Sequence, residues 1–170
     1  MKAIIFILAV FSFRISFCQT KNIEKLVIDS IVANIDNDHN LQGHVFKIQA
    51  LKKVLHFIDY RYLANKTAIV KIDRRFKNRG DSVYQLFYFR NNKLIYCTET
   101  IISYYNQHNV QDTMTWSGSF YFSDGKLIDY VTLGHGKSET EEWDPEADML
   151  ICCKEARNDI LRFSGRKNGG

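Results

Sequence analysis

Residues 87–95 read Phe-Tyr-Phe-Arg-Asn-Asn-Lys-Leu-Ile, and residues 120–128 read Phe-Tyr-Phe-Ser-Asp-Gly-Lys-Leu-Ile. The stretches form a repeat at an offset of 33 residues, with seven of nine positions identical or conservative. At their centres stand Asn91-Asn92 and Asp124-Gly125. Asn, Asp and Gly accept the positive φ that both central positions of a two-residue type I′ turn require, and aromatic or β-branched residues flank both pairs. Each copy therefore predicts a β-hairpin, and the two together predict an antiparallel sheet.

Symmetric pairing about each turn sets Phe89 opposite Leu94, Phe87 opposite Tyr96, Phe122 opposite Leu127 and Phe120 opposite Asp129. Side chains alternate between faces, so this Phe/Leu face is the expected core. The other face would receive Leu86, Tyr88, Ile95 and Cys97 from the first copy and Ser119, Tyr121, Ile128 and Tyr130 from the second. That Tyr/Ile face is the candidate binding surface, with Tyr88, Tyr121 and Tyr130 as contacts and Trp116 at its margin. Tyrosine presents a flat apolar body with a polar tip and loses little entropy when held, which suits a surface that must bind and stay soluble. The competing expectation is that a helix packs over this face and makes the tyrosines core residues.

Upstream, Thr67 to Phe76 alternates as a strand, and Lys77-Asn78-Arg79-Gly80-Asp81 is a loop returning into the first hairpin. Phe57 to Leu63 adds a strand, with Ala64-Asn65-Lys66 as its turn. Ser103 to Thr113, polar and amide-rich, is expected to be a long irregular loop and a second place for binding. These pieces make an antiparallel meander of five or six strands between Phe57 and Leu133.

Helices are expected on either side. Ile23, Val27, Ile28, Ile31 and Ile35 share one helical face before Asn37-Asp38-His39-Asn40 ends the pattern. Asp144-Pro145 is a helix start, the acid as cap and the proline at the first helical position. Met149, Cys152, Cys153, Ala156, Ile160 and Phe163 then recur at three- and four-residue spacing as one buried stripe. Ile48, Leu51 and Leu55 suggest a third helix over Val45 to Leu55. The expected class is α+β, a meander with N-terminal and C-terminal helices packed on it, forming one domain over residues 19–163 with a polar tail at 164–170.

The first eighteen residues read as a secretory signal. Lys2 precedes an apolar run from Ala3 to Phe13, too short for the roughly 20 residues a membrane-spanning helix needs. Ser16 and Cys18 supply the small residues for cleavage before Gln19. Acylation of Cys18 as a lipoprotein would ask for a small residue where Phe17 stands. Cleavage leaves 21 basic against 19 acidic residues, a balance that recruits no partner by itself. No later apolar stretch is long enough to span a membrane. The expected location is periplasmic or secreted.

Export leaves Cys97, Cys152 and Cys153. With Cys97 on the Tyr/Ile face and the C-terminal helix on the other, the sheet would lie between the sulfurs. Linked Cα atoms must come within about 7 Å, so three free thiols are expected.

The paired hairpins, together with a signal peptide and a helix containing Ile28-Asp29-Ser30-Ile31-Val32-Ala33-Asn34-Ile35, resemble a group of small exported proteins of Gram-negative bacteria with no assigned activity. The resemblance covers residues 23 to 133 and implies fold and compartment. It carries no catalytic residues.

There is no phosphate-binding loop, no G-x-S-x-G, no H-E-x-x-H and no dinucleotide fingerprint, and nothing calls for a cofactor. Gly134-His135-Gly136, just before Glu139, Glu141, Glu142 and Asp144, is the most site-like histidine and defines an alternative, a small periplasmic hydrolase centred on His135. The same residues also describe an ordinary loop leading into a helix whose positive end favours carboxylates. Asp144, Glu146 and Asp148 alternate as calcium ligands might, but Met149 stands where that loop needs glycine. Lys71, Arg74, Arg75, Lys77 and Arg79 form one basic cluster, read as a charged sheet edge and not as a nucleic-acid site. Asn65-Lys66-Thr67 is a glycosylation sequon that matters only in a eukaryote. The expected function is a non-enzymatic binding or interaction module with an unknown protein or small-molecule partner in the cell envelope. A third alternative is a structural accessory of an envelope complex.

Overall fold

The computed structural model describes residues 21–49, 57–65, 68–107 and 110–164. Residues 1–20, with the expected signal peptide, and the terminal tail from residue 165 lie outside the described residues. Residues 21–37 form helix α1, which belongs to a compact unit of its own, and the chain from Asp38 onward forms a second unit.

The second unit is an antiparallel meander of seven strands in sequence order, followed by a helix. The strands are β1 (Gln42–Gln49), β2 (Phe57–Ala64), β3 (Ile69–Asn78), β4 (Asp81–Arg90), β5 (Lys93–Gln107), β6 (Val110–Ser123) and β7 (Lys126–Leu133). A single 3-10 turn (Lys137–Glu139) leads to α2 (Pro145–Ser164). The α+β class and the meander are as expected, while the strand number is seven and not five or six.

The extra strand is β1. It pairs with β2 over its whole length where part of a third helix was expected. Its short apolar run fits either period, and Phe46 and Ile48 join the core as alternate residues of a strand. The remainder of that expected helix, residues 50–55, lies outside the described residues.

Three turns are two-residue turns with both central residues at positive φ: Arg79-Gly80, Asn91-Asn92 and Asp124-Gly125. The two hairpins of the repeat share a feature that their sequences hide. Tyr88 pairs with Tyr96 and Phe89 with Leu94, so Ile95 is an extra residue; Tyr121 pairs with Asp129 and Phe122 with Leu127, so Ile128 is its counterpart. A bulge moves every later residue of the strand to the other face. Phe87 therefore faces Cys97 and Phe120 faces Tyr130, in place of Tyr96 and Asp129.

The register defines rows across the sheet. Tyr62, Ile72, Phe87, Cys97, Phe120 and Tyr130 form one row on the face that α2 covers. Met149, Cys153, Ala156 and Ile160 of α2 pack onto that face in the same core. The helix crosses the strands. Glu146 bonds to Leu127 of β7, Glu155 to Arg74 of β3, Asp159 to Tyr60 of β2, and Phe163 stacks near Phe46 of β1. Its 20 residues span about 30 Å, and seven strands at about 4.8 Å spacing span nearly the same distance. Asp144 caps it by accepting from Ala147 N at 3.1 Å, as the Asp-Pro start predicts.

Beyond Ser82 and Leu133, β5 and β6 lose their outer partners and continue as a two-stranded arm to Gln107 and Val110. The expected irregular loop at 103–113 is thus mostly paired strand.

Candidate functional site

Two regions of the second unit concentrate polar chemistry, one on each face of the sheet. Under α2, the row next to the apolar one reads Tyr60, Arg74, Gln85, Glu99 and Gly118. A chain of hydrogen bonds joins it. Arg74 Nη1 donates to Gln85 Oε1 at 3.3 Å, and Gln85 Nε2 donates to Glu99 Oε1 at 2.7 Å. Lys137 Nζ donates to Glu99 Oε2 at 2.6 Å and to Asp148 Oδ2 at 2.9 Å, and Trp143 Nε1 donates to the same Asp148 oxygen at 3.0 Å. Tyr60 donates its hydroxyl proton to Asp159 Oδ2 at 2.6 Å, and burial above all pushes that hydroxyl above its usual range.

The helix answers this row with its own stripe. Asp148, Glu155 and Asp159 fall on one side of α2 and meet Lys137, Arg74 and Tyr60 in turn. Glu99 is 2% exposed, so its charge depends on Lys137 and the Gln85 amide. Burial alone would lower the Lys137 ammonium, but Glu99 and Asp148 outweigh it and hold the group above the usual lysine value. These contacts hold α2 and the loop after β7 onto the sheet, with Arg74 Nε left as a buried donor without a partner among the described residues.

That loop explains Gly134-His135-Gly136. Gly134 has φ +87, and a Cβ there would sit 2.1 Å from Thr115 O. A Cβ on Gly136 would lie 2.8 Å from the Trp116 ring. The chain needs both glycines to cross Trp116, whose Nε1 donates to Ser138 Oγ at 3.1 Å. His135 Nδ1 pairs with Glu139 Oε1 on the outer side, and both are exposed. Neither groove described below includes His135.

The structure separates the four residues expected to form one surface. Tyr88 and Tyr121 lie on the face away from α2, in a ladder with Tyr96 whose ring centroids are 5.8 Å and 4.9 Å away. Tyr88 is only 3% exposed, and Lys71 Nζ lies 4.9 Å from its ring centre. The bulge at Ile128 carries Tyr130 to the helix face, where it stacks on Phe120 and remains 45% exposed at the sheet edge. Trp116 is 2% exposed beneath the loop. A single tyrosine surface is therefore not what the chain builds.

The bulge at Ile95 likewise brings Cys97 to the helix face, with Cys153 in the same core. The three cysteines among the described residues are free thiols, although the sheet does not separate them as expected. Burial raises all three: Cys152 to about 11, Cys153 to about 12, and Cys97 well above the usual value.

The basic cluster is not a sheet edge, because β3 pairs on both sides. Alternation sends Arg74 under the helix and Lys71, Arg75 and Lys77 to the opposite face. There an open groove of about 410 Å³ is lined by Phe57, Asp59, Arg75, Lys77, Ser82 and Tyr84, together with Phe76 and Val83 of the same strands. Sequence reasoning missed this groove, although the basic residues alternating along 71–77 were its signal. A second groove of about 320 Å³ lies between the β2–β3 turn and α2, with Arg157 anchored to Asn92 O at 2.7 Å.

Among the described residues, no group of His, Cys, Asp or Glu could hold a metal ion, and no helix is long and apolar enough to cross a membrane. In comparisons with family models, curated proteins and solved structures, the chain matches none.

Proposed function

We propose that the protein is an exported, non-enzymatic binding or interaction module that works through the sheet face away from α2. The observation that carries this reading is the asymmetry of the two faces. The helix face is largely covered by α2, the loop over Trp116 and the hydrogen-bonded row from Arg74 to Lys137, which leave there only the smaller of the two grooves described. The opposite face keeps Phe57, Tyr84, Val131 and Leu133 exposed around an open groove and the sheet edge. Exposed aromatic and aliphatic side chains on a rigid sheet are held in place before any partner arrives, which lowers the entropy cost of binding. A hydrolase centred on His135 would need a nucleophile and a cleft, and the exposed His135–Glu139 pair brings neither.

The test compares two faces of one molecule. The exported protein, a Tyr84→Ser/Leu133→Ser variant and an Ile151→Ser variant on the outside of α2 are used to capture envelope components. The reading expects the partner to be lost with the first variant and kept with the second. Equal capture by all three would overturn it.

A further inference from the structure

We infer that the groove on the face away from α2 binds an acidic saccharide, a sugar ring stacked on Tyr84 or Phe57 with its carboxylate held by Arg75 and Lys77. The inference rests on the proposed binding function and names its ligand class. The groove is two rows of the sheet deep. Asp59, Arg75 and Tyr84 stand side by side on β2, β3 and β4. In the next row Lys77 stands beside Ser82, and Phe57 precedes Ile58 on β2.

Each part has a chemical use. Phe57 is 47% exposed, with Lys47 Nζ 5.1 Å from its ring centre, and Tyr84 is 39% exposed, so each keeps ring surface open to solvent. The C–H face of a pyranose is apolar and packs flat against such a ring. Arg75 is aimed before any ligand arrives. Its Nε and Nη2 bond to the Asp73 carboxylate at 2.9 Å and 2.7 Å, and its guanidinium lies 6.0 Å from the Tyr84 ring centre. This leaves Nη1 for a carboxylate beside the stacking ring.

Charge favours an anion. On this face β1 to β4 carry Lys47, Arg61, Lys71, Arg75 and Lys77 against Asp59 and Asp73. Both acids are occupied, Asp59 by Lys47 at 3.3 Å and Asp73 by Arg75 at 2.7 Å. Lys77 makes no ion pair among the described residues. The volume of about 410 Å³ lies within the range of small-ligand sites.

Titration of the isotope-labelled exported protein with tetragalacturonate, read by backbone amide shifts, tests this. The expected result is saturable binding with the largest shifts at 75–77 and 82–84. Methyl-esterified tetragalacturonate and the Lys77→Gln variant should each bind about tenfold more weakly, the worth of a charge-assisted bond. Tyr84→Phe should bind as the parent and Tyr84→Ser more weakly, with both as stable as other surface variants. No saturable binding at millimolar concentration, equal binding of the ester, or shifts elsewhere would overturn the inference. Equally tight binding of hexaglutamate would also overturn it, by showing an acidic-peptide site. If tetragalacturonate fails while Tyr84→Ser/Leu133→Ser still loses its envelope partner, only the ligand class falls.

Discussion

Lys137 Nζ lies 2.6 Å from Glu99 Oε2 and 2.9 Å from Asp148 Oδ2, so one ammonium ties the loop after β7 to the middle of the sheet and to the first turn of α2. Its removal leaves a buried carboxylate without a cation. Lys137→Met should cost about 3 kcal/mol by urea unfolding. Glu99→Gln should cost only about 1 kcal/mol, because a neutral amide is left and Lys137 can turn to water. The folded lysine value is raised, so its contribution is complete below the unfolded value of about 10.4 and is lost as pH rises through the higher folded value. The gap between parent and Lys137→Met should therefore stay constant from neutral pH to about pH 9 and close above about pH 10.4.

Gly134 and Gly80 both have positive φ, but their surroundings differ. A Cβ on Gly80 meets nothing within 4 Å, whereas one on Gly134 would overlap Thr115 O. Gly80→Ala should cost about 1 kcal/mol, from backbone conformation alone. Gly134→Ala should cost about 3 kcal/mol or more, since the backbone must also move away from β6. It should shift Trp116 fluorescence as well, because the displaced loop carries Ser138, the acceptor for its indole N–H.

The meander was legible because the turn dipeptides and the alternation lie in consecutive residues. The strand count fell short at β1, whose few apolar residues fit two periods. The site was misread for a more local reason. Nothing in Leu94-Ile95-Tyr96 or Leu127-Ile128-Asp129 announces a bulge, and one extra residue in each hairpin exchanged Cys97 and Tyr130 with their neighbours across the sheet. The polar row under α2 did leave a trace. Arg74, Gln85 and Glu99 each stand two residues from a core residue, Ile72, Phe87 and Cys97, so a polar residue recurs at the same depth in three adjacent strands. Its partners Asp148, Glu155 and Asp159 repeat at helical spacing. Only the register aligns the two patterns.

The three thiols should be slow to react. Burial raises Cys152 to about 11, Cys153 to about 12 and Cys97 well above the usual range, so each stays protonated where an unfolded thiol ionises. At pH 8 native Cys152 should react with an aromatic disulfide reagent about a hundredfold more slowly than in urea, and Cys97 more slowly still. Folding favours the neutral thiols, so they stabilise fully below the unfolded value of about 8.5, and that stabilisation declines as pH rises toward the folded values. Native thiols as fast as unfolded ones would show that α2 leaves the sheet readily.

Export can be read from a mass. The small residues Ser16 and Cys18 are the ground for expecting a cut before Gln19. Protein recovered from its native host should have the intact mass of residues 19–170, allowing for cyclisation of the new N-terminal glutamine. A mass retaining residues 1–18, or a lipid on Cys18, would refute cleavage at that bond.

Tyr88 and Tyr130 separate core from surface most cleanly. Tyr88 is nearly buried and lies between the Tyr96 ring and the Lys71 ammonium, while Tyr130 is stacked on Phe120 with one side open to solvent. Tyr88→Ala should cost about 3–5 kcal/mol, as removal of a buried aromatic does. Tyr130→Ala should cost about 1–2 kcal/mol, since only part of its ring contact is lost. Tyr121→Ala should fall between them, because its ring is half-buried and packs at a tilt against Tyr96. Urea unfolding of the three variants at one pH decides the order. Were Tyr88→Ala to cost less than about 1 kcal/mol, the Tyr88–Tyr96–Tyr121 ladder would be accessible in solution, and binding would belong to that ladder instead of the groove beside Tyr84.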